Sequence, residues 1–159
     1  MQAMVNKRDA VQSKVLADGT VELRDARGSA RLLRLAPGVL FYVCGGVLGY
    51  SFQPQMVEPA QREVDQTGAL IMFVDGWELR SVDTAFREAW TEWFKENRQH
   101  FQMRLLVRSK LMEMAASIAN LFTGMSVIKT FSNVASWEAE CALNHRGFRR
   151  TPENASVKA

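Results

Sequence analysis

Ala69-Leu-Ile-Met-Phe-Val-Asp75-Gly-Trp-Glu-Leu-Arg-Ser-Val-Asp83-Thr84 is the stretch on which the reading of this chain turns. Its first six residues are apolar without alternation, so a strand there has both faces covered, as at the centre of a sheet flanked by strands and packed by helices. Asp75 closes the apolar run, residues 76–80 carry loop chemistry, and Ser81 or Asp83 can cap the helix that follows. In that helix Phe86, Ala89, Trp90, Trp93 and Phe94 form one stripe, closed by His100. The aromatic weight of the stripe marks a core helix.

The same alternation of elements continues on both sides. Residues 102–107 read as a strand, and from Ser109 a helix runs to Gly124 with Leu111, Met114, Ala115, Ile118, Leu121 and Phe122 on its apolar, core-facing side. Residues 127–131 form the next strand, and Ser132-Asn133 cap a last helix that buries Val134, Trp137 and Cys141 before Gly147. Upstream, Phe52, Met56, Ala60 and Val64 recur every four residues within 49–68, where Pro59 either kinks the helix or marks its start. Residues 39–46 are a buried strand ending in a glycine turn. Val21 and Leu23, the turn at Arg27-Gly28, and Leu33 and Leu35 make a hairpin whose second arm can continue past Pro37-Gly38. The expected fold is α/β: one domain over 19–147 with a mixed sheet, an entering hairpin and four helices following β-α units, the later strands parallel through right-handed crossovers. Residues 1–18 read as an extension, either helical or frayed, and 148–159 as a disordered polar tail.

Composition bounds the rest. The chain has 159 residues, 47% hydrophobic and 23% charged, which suits one globular domain and excludes low-complexity architecture. Twenty basic against seventeen acidic residues give +3, with the arginines dispersed, a weak bias toward anionic partners and no nucleic-acid signature. Two cysteines, Cys44 and Cys141, make no disulfide framework and no metal quartet, as expected of a reducing, cytoplasmic setting. The start lacks the apolar run of a signal peptide and the longest apolar runs are too short to span a bilayer, so no stable membrane insertion is expected.

The central segment 69–84 resembles the central strand, closing Asp, loop and Asp-Ser dipeptide at a helix start of the STAS domain of bacterial anti-anti-sigma factors, with Asp83-Thr84 standing for the dipeptide. Arg104-Leu-Leu-Val-Arg-Ser109, the helix after it, Gly124, and Phe131-Ser-Asn-Val-Ala-Ser-Trp-Glu-Ala resemble the family's third strand, third helix and last strand-to-helix passage. The likeness covers roughly residues 31–145. It implies a STAS-like sheet and a partner switch controlled by phosphorylation. Two features depart from the pattern: Thr84 is followed by Ala85 and Phe86 rather than by a small residue and Gly, and the long helices with four tryptophans lean toward divergent members that resemble lipid-binding relatives.

Thr84 is the candidate phosphoacceptor and Ser81 its rival, since a helix N-terminus tolerates added negative charge. The plainer reading is that Asp83 is an N-cap and Thr84 an ordinary first helical residue. Asp75, Trp77, Asp83 and Phe86, with Met112 off the main stripe of the third helix, are the candidate partner-binding residues, whereas Met114 reads as core. Asp75 can equally tie down the loop backbone, and Trp77 can equally lid the sheet. Arg108 and Lys110, with Arg104, are a candidate anion site, with surface solvation the commoner role of such residues. His100 and His145 read as helix caps without a catalytic partner, and Cys44 as a buried hydrophobe with a raised thiol pKa. No cofactor or metal is expected. The resulting expectation is a non-enzymatic cytoplasmic module binding a regulatory protein of anti-sigma or serine/threonine kinase type, with a homodimer open. The alternative is a small-ligand or lipid carrier whose helices enclose a cavity lined by Trp and Met.

Overall fold

The computed structural model describes residues 10–150. Seven strands lie side by side in sequence order: β1 (Gln12–Val15), β2 (Val21–Arg24), β3 (Gly28–Ala36), β4 (Val39–Leu48), β5 (Leu70–Val82), β6 (Phe101–Val107) and β7 (Ile128–Phe131). β1 to β4 pair antiparallel, and β4 to β7 pair parallel. Each parallel crossover carries a helix: α1 (Gln53–Thr67), α2 (Thr84–Glu96) and α3 (Lys110–Thr123), with α4 (Val134–Asn144) following β7. This is the mixed α/β sheet expected from the sequence.

The two-residue side-chain period of β4 builds both cores at once. Leu40, Tyr42 and Cys44 face α1, α2 and α3, while Val39, Phe41 and Val43 face the layer made by α4. Trp137 and Cys141 of α4 pack there with Phe41, Phe73 and Leu106. α1 is additionally clasped by a polar contact. Glu63, buried, accepts from Arg34 Nε at 3.0 Å and from the Gly38 N–H at 2.7 Å, and the Arg34 hydrogen bond, foremost, holds its carboxyl below the usual glutamate range.

Several local readings need correction, among them the glycine turn expected at the end of 39–46, since Gly45 and Gly46 lie inside β4. The extension 1–18 contains β1, a short edge strand whose residues are all exposed and which therefore shows no apolar period; residues 1–9 lie outside the described ones. Pro59 is inside α1, which starts earlier, at Gln53. The loop expected at 76–80 is strand: β5 runs on to Val82 beside β4, with register shifts between Val43 and Gly45 and between Gly46 and Val47. Gly76 belongs to that strand because a Cβ there would come within 2.8 Å of the Leu106 carbonyl oxygen, so the glycine marks close approach of β6, not a turn.

The remaining two concern the C-terminal half. Phe148, read as the start of a disordered tail, is buried against Phe41, Phe73 and Trp137, and Arg150 is tied to Asp75; residues 151–159 lie outside the described ones. α3 faces the opposite way from the expectation. Met112, Ala116, Ala119 and Thr123 are buried, whereas Leu111, Met114, Ile118, Leu121 and Phe122 point outward. Period identified the face correctly but not its direction.

Candidate functional site

The end of the sheet where the parallel strands terminate gathers the residues singled out in the sequence, and it sorts them. Asp83 is the N-cap of α2: its Oδ1 accepts the Phe86 N–H at 2.7 Å and its Oδ2 accepts the Tyr50 N–H at 3.1 Å. One carboxylate thus serves both the helix start and the turn after β4. Thr84 is exposed at the first position of α2, and Ser81 is half-buried on β5. Thr84 and Lys110 are exposed at the carboxyl-end rim of the sheet, at the starts of α2 and α3, with β5 running six residues beyond Gly76, its last residue paired with β6.

Asp75 does not belong to that rim. It is only 1% exposed, on the face covered by α4, with Oδ1 accepting the Trp77 N–H at 3.1 Å and Oδ2 accepting Arg150 Nε at 2.6 Å. It cannot meet a partner while that pair stands; it anchors the segment after α4. Phe86 is buried as well, inside the aromatic cluster of α2, where it meets Trp90 edge-on. Met112 and Met114 exchange the roles expected of them: Met112 is 8% exposed and Met114 60%. Among the proposed partner-facing residues, Trp77 is half-buried with the Arg108 guanidinium 5.4 Å above its ring. Arg104 is separated from the other two cations of its group, pairing with Glu140 at 3.1 Å, while Arg108 and Lys110 are exposed.

Sequence reasoning missed the outward face of α3, where Leu121 is 81% exposed and Phe122 64%, with Leu111, Met114, Ile118 and, just beyond the helix, Met125 alongside. Beneath it, between α2, α3 and the sheet, lies an apolar cavity of about 100 Å³ lined by Tyr42, Met72, Phe86, Trp90, Met103 and Met112, among others. The small inward residues of α3, Ala115, Ala116 and Ala119, leave that space. A signal for it was present, since alanines at that spacing cannot fill a layer beside tryptophans.

The cysteines and histidines hold structural positions. Burial pushes the Cys44 thiol up to about 12, and the Cys141 thiol likewise to about 12, so both stay protonated and unreactive at neutral pH. His100 does not close α2, which is capped by Asn97; its Nδ1 lies 3.0 Å from the Gly68 carbonyl oxygen at the end of α1. His145 occupies the C-cap of α4. Among the described residues no group of three or more His, Cys, Asp or Glu could hold a metal ion, and no helix is long and apolar enough to cross a membrane.

No protein-family model matches the chain, and no curated protein matches it. Among solved structures it is similar to an uncharacterised protein of the DUF3478 family with a SpoIIAA-like fold from Shewanella loihica PV-4, at 14% identity and a TM-score of 0.50, over 84% of this chain and 95% of that one. The sheet order, the helices in the crossovers and this likeness agree: the chain has the SpoIIAA-like fold, the STAS fold of anti-anti-sigma factors.

Proposed function

We propose that the chain is a non-enzymatic, cytoplasmic regulatory binding module that docks a protein partner of anti-sigma or serine/threonine kinase type on the outer face of α3. The observation that carries the reading is that face itself. Leu111, Met114, Ile118, Leu121 and Phe122 are all exposed on one side of one helix, and contiguous apolar surface of that kind marks an interaction site. Phosphorylation of Thr84, or of Ser81 in its place, supplies the control. A phosphate adds about −1.5 to −2 charges, which the N-terminus of α2 tolerates, so the addition changes the charge of the surface a partner meets at the start of α2 without unfolding the domain. Repulsion of an acidic partner then releases it.

The test is capture from native lysate by four immobilised forms of the full chain: wild type, Thr84→Ala, Thr84→Glu, and the double variant Leu121→Asp with Phe122→Ser. Wild type and Thr84→Ala are expected to retain the same partner, and the other two to lose it. Equal capture by all four removes the reading. Sedimentation of the purified chain separates this from a homodimer, in which a second copy would cover the face.

Of the alternative, a small-ligand or lipid carrier, the cavity beneath α3 favours the first part, a carrier of a small apolar ligand. An apolar pocket of about 100 Å³ has room for a small apolar guest, on the order of the single aromatic ring that an engineered cavity admits. A mass adduct on the freshly purified native protein is expected in that case, and its absence counts against carriage.

A further inference from the structure

We infer that the groove at the end of β4 is a binding site for a small dianionic oxyanion, the phosphate or dicarboxylate group of a ligand. β4 is where the sheet changes character, antiparallel to β3 on one side and parallel to β5 on the other. Because β3 runs antiparallel to β4, with Gly28 opposite Gly46, the hairpin between β2 and β3 that carries Arg24 and Arg27 lies beside the carboxyl end of β4. A groove of about 640 Å³ opens there, lined by Arg24, Arg27, Arg80 and Arg108 around Gly45 and Gly46.

The charges of the groove do not balance. Its lining holds four guanidinium groups against two carboxylates, Asp25 and Glu78, a formal +2. Asp25 is committed to its own turn, its Oδ1 accepting the N–H groups of Arg27 and Gly28 at 2.8 and 2.9 Å. Glu78 meets Arg108 only at 3.9 Å, both side chains being more than half exposed, a pair that water screens. Arg24 leans on Glu22 at 3.4 Å, and among the described residues Arg27 and Arg80 form no ion pair. Arg108 rests on Trp77, which limits the freedom its guanidinium would otherwise lose on binding. Forked guanidinium donors on several sides of a groove with surplus positive charge suit a planar carboxylate or a phosphate.

The two glycines at the floor differ in a telling way. Gly46 has φ +73°, and a Cβ there would meet the Arg27 carbonyl oxygen at 2.4 Å, so the backbone itself demands glycine. Gly45 is under no such demand, for its Cβ would meet nothing closer than Glu78 Cβ at 3.6 Å. Its missing side chain leaves the groove floor bare. Val43, two residues earlier and on the same face of β4, belongs to the α4 core, so the groove opens on the side of the sheet away from α3 and the inference stands independently of the docking reading.

The test is calorimetric titration of the full chain with inorganic phosphate and, separately, with malonate, in low-salt buffer free of competing oxyanions. Saturable binding of at least one probe at one site is expected, and the preferred probe tells a phosphate ligand from a dicarboxylate. Arg80→Gln and Arg27→Gln are each expected to weaken binding about tenfold, the loss of one charge-assisted contact. Gly45→Val, which fills the floor, should abolish it without lowering Tm, while the α3 double variant binds like wild type. No saturable binding of either probe, or affinity unchanged in both Arg80→Gln and Gly45→Val, overturns the assignment.

Discussion

α2 and α3 start from the same end of neighbouring parallel strands, run 13 and 14 residues, and pack side by side, yet they turn opposite kinds of face to the sheet. α2 buries its bulky stripe, Phe86, Trp90, Trp93 and Phe94. α3 buries its lean one, Met112, Ala116, Ala119 and Thr123, and leaves its bulky stripe in water. The two choices are linked by volume. The rings of Trp90 and Phe94 stack at 5.6 Å and supply the bulk of the shared layer, while the alanines of α3 leave an apolar pocket of about 100 Å³ beside them. A helix that gives up the burial of five large side chains forgoes several kcal/mol of transfer energy, about 1.5–3 for each such side chain when fully buried. That surface is therefore available to something other than the fold.

The contrast breaks first at Trp90. Trp90→Ala should cost about 3–5 kcal/mol, read from denaturant midpoints, because a buried indole leaves a void its neighbours only partly close. Arg150→Ala is expected to cost as much, about 3–5 kcal/mol, by leaving the Asp75 carboxylate buried and unpaired, and the cost should shrink when Asp75→Asn is added. That double-mutant cycle sharpens the distinction between a structural Asp75 and an exposed rim at Thr84. Next is Met112→Ala, expected near the lower end of its class, about 2–3 kcal/mol, since it enlarges a cavity that already exists.

Much of this was readable from residue order. The unalternating run 69–74 is a central strand, Asp83 caps α2 through the Phe86 N–H, and Asn133 caps α4 through the Ser136 N–H. Each depends on neighbours within a few residues. What failed depends on distant ones. Asp75 looked like the end of a strand because its partner, Arg150, is 75 residues away. β5 continues past Gly76 because β4 is there to pair with it, through bulges no local pattern announces. Phe148 looked like tail until the ring cluster of Phe41, Phe73 and Trp137 formed around it. In α3, apolar period fixed which residues share a side, and which side turns inward is set by packing against α2 and the sheet, which no local pattern carries.

The smallest expected effect is the most informative. Met114→Gln and Leu121→Gln, singly or together, should shift folding stability by no more than about 0.5 kcal/mol each, as exposed substitutions do, although both residues are large and apolar. Denaturant melts of these variants beside Met112→Ala give the comparison directly. If Met114→Gln cost as much as Met112→Ala, α3 would have to sit on the sheet with its heavy side inward and the docking surface would vanish. If it costs almost nothing while capture of the partner is lost, then the difference between two adjacent helices has a cause: α2 spends its aromatic residues on the core, which frees α3 to offer its own to a second molecule.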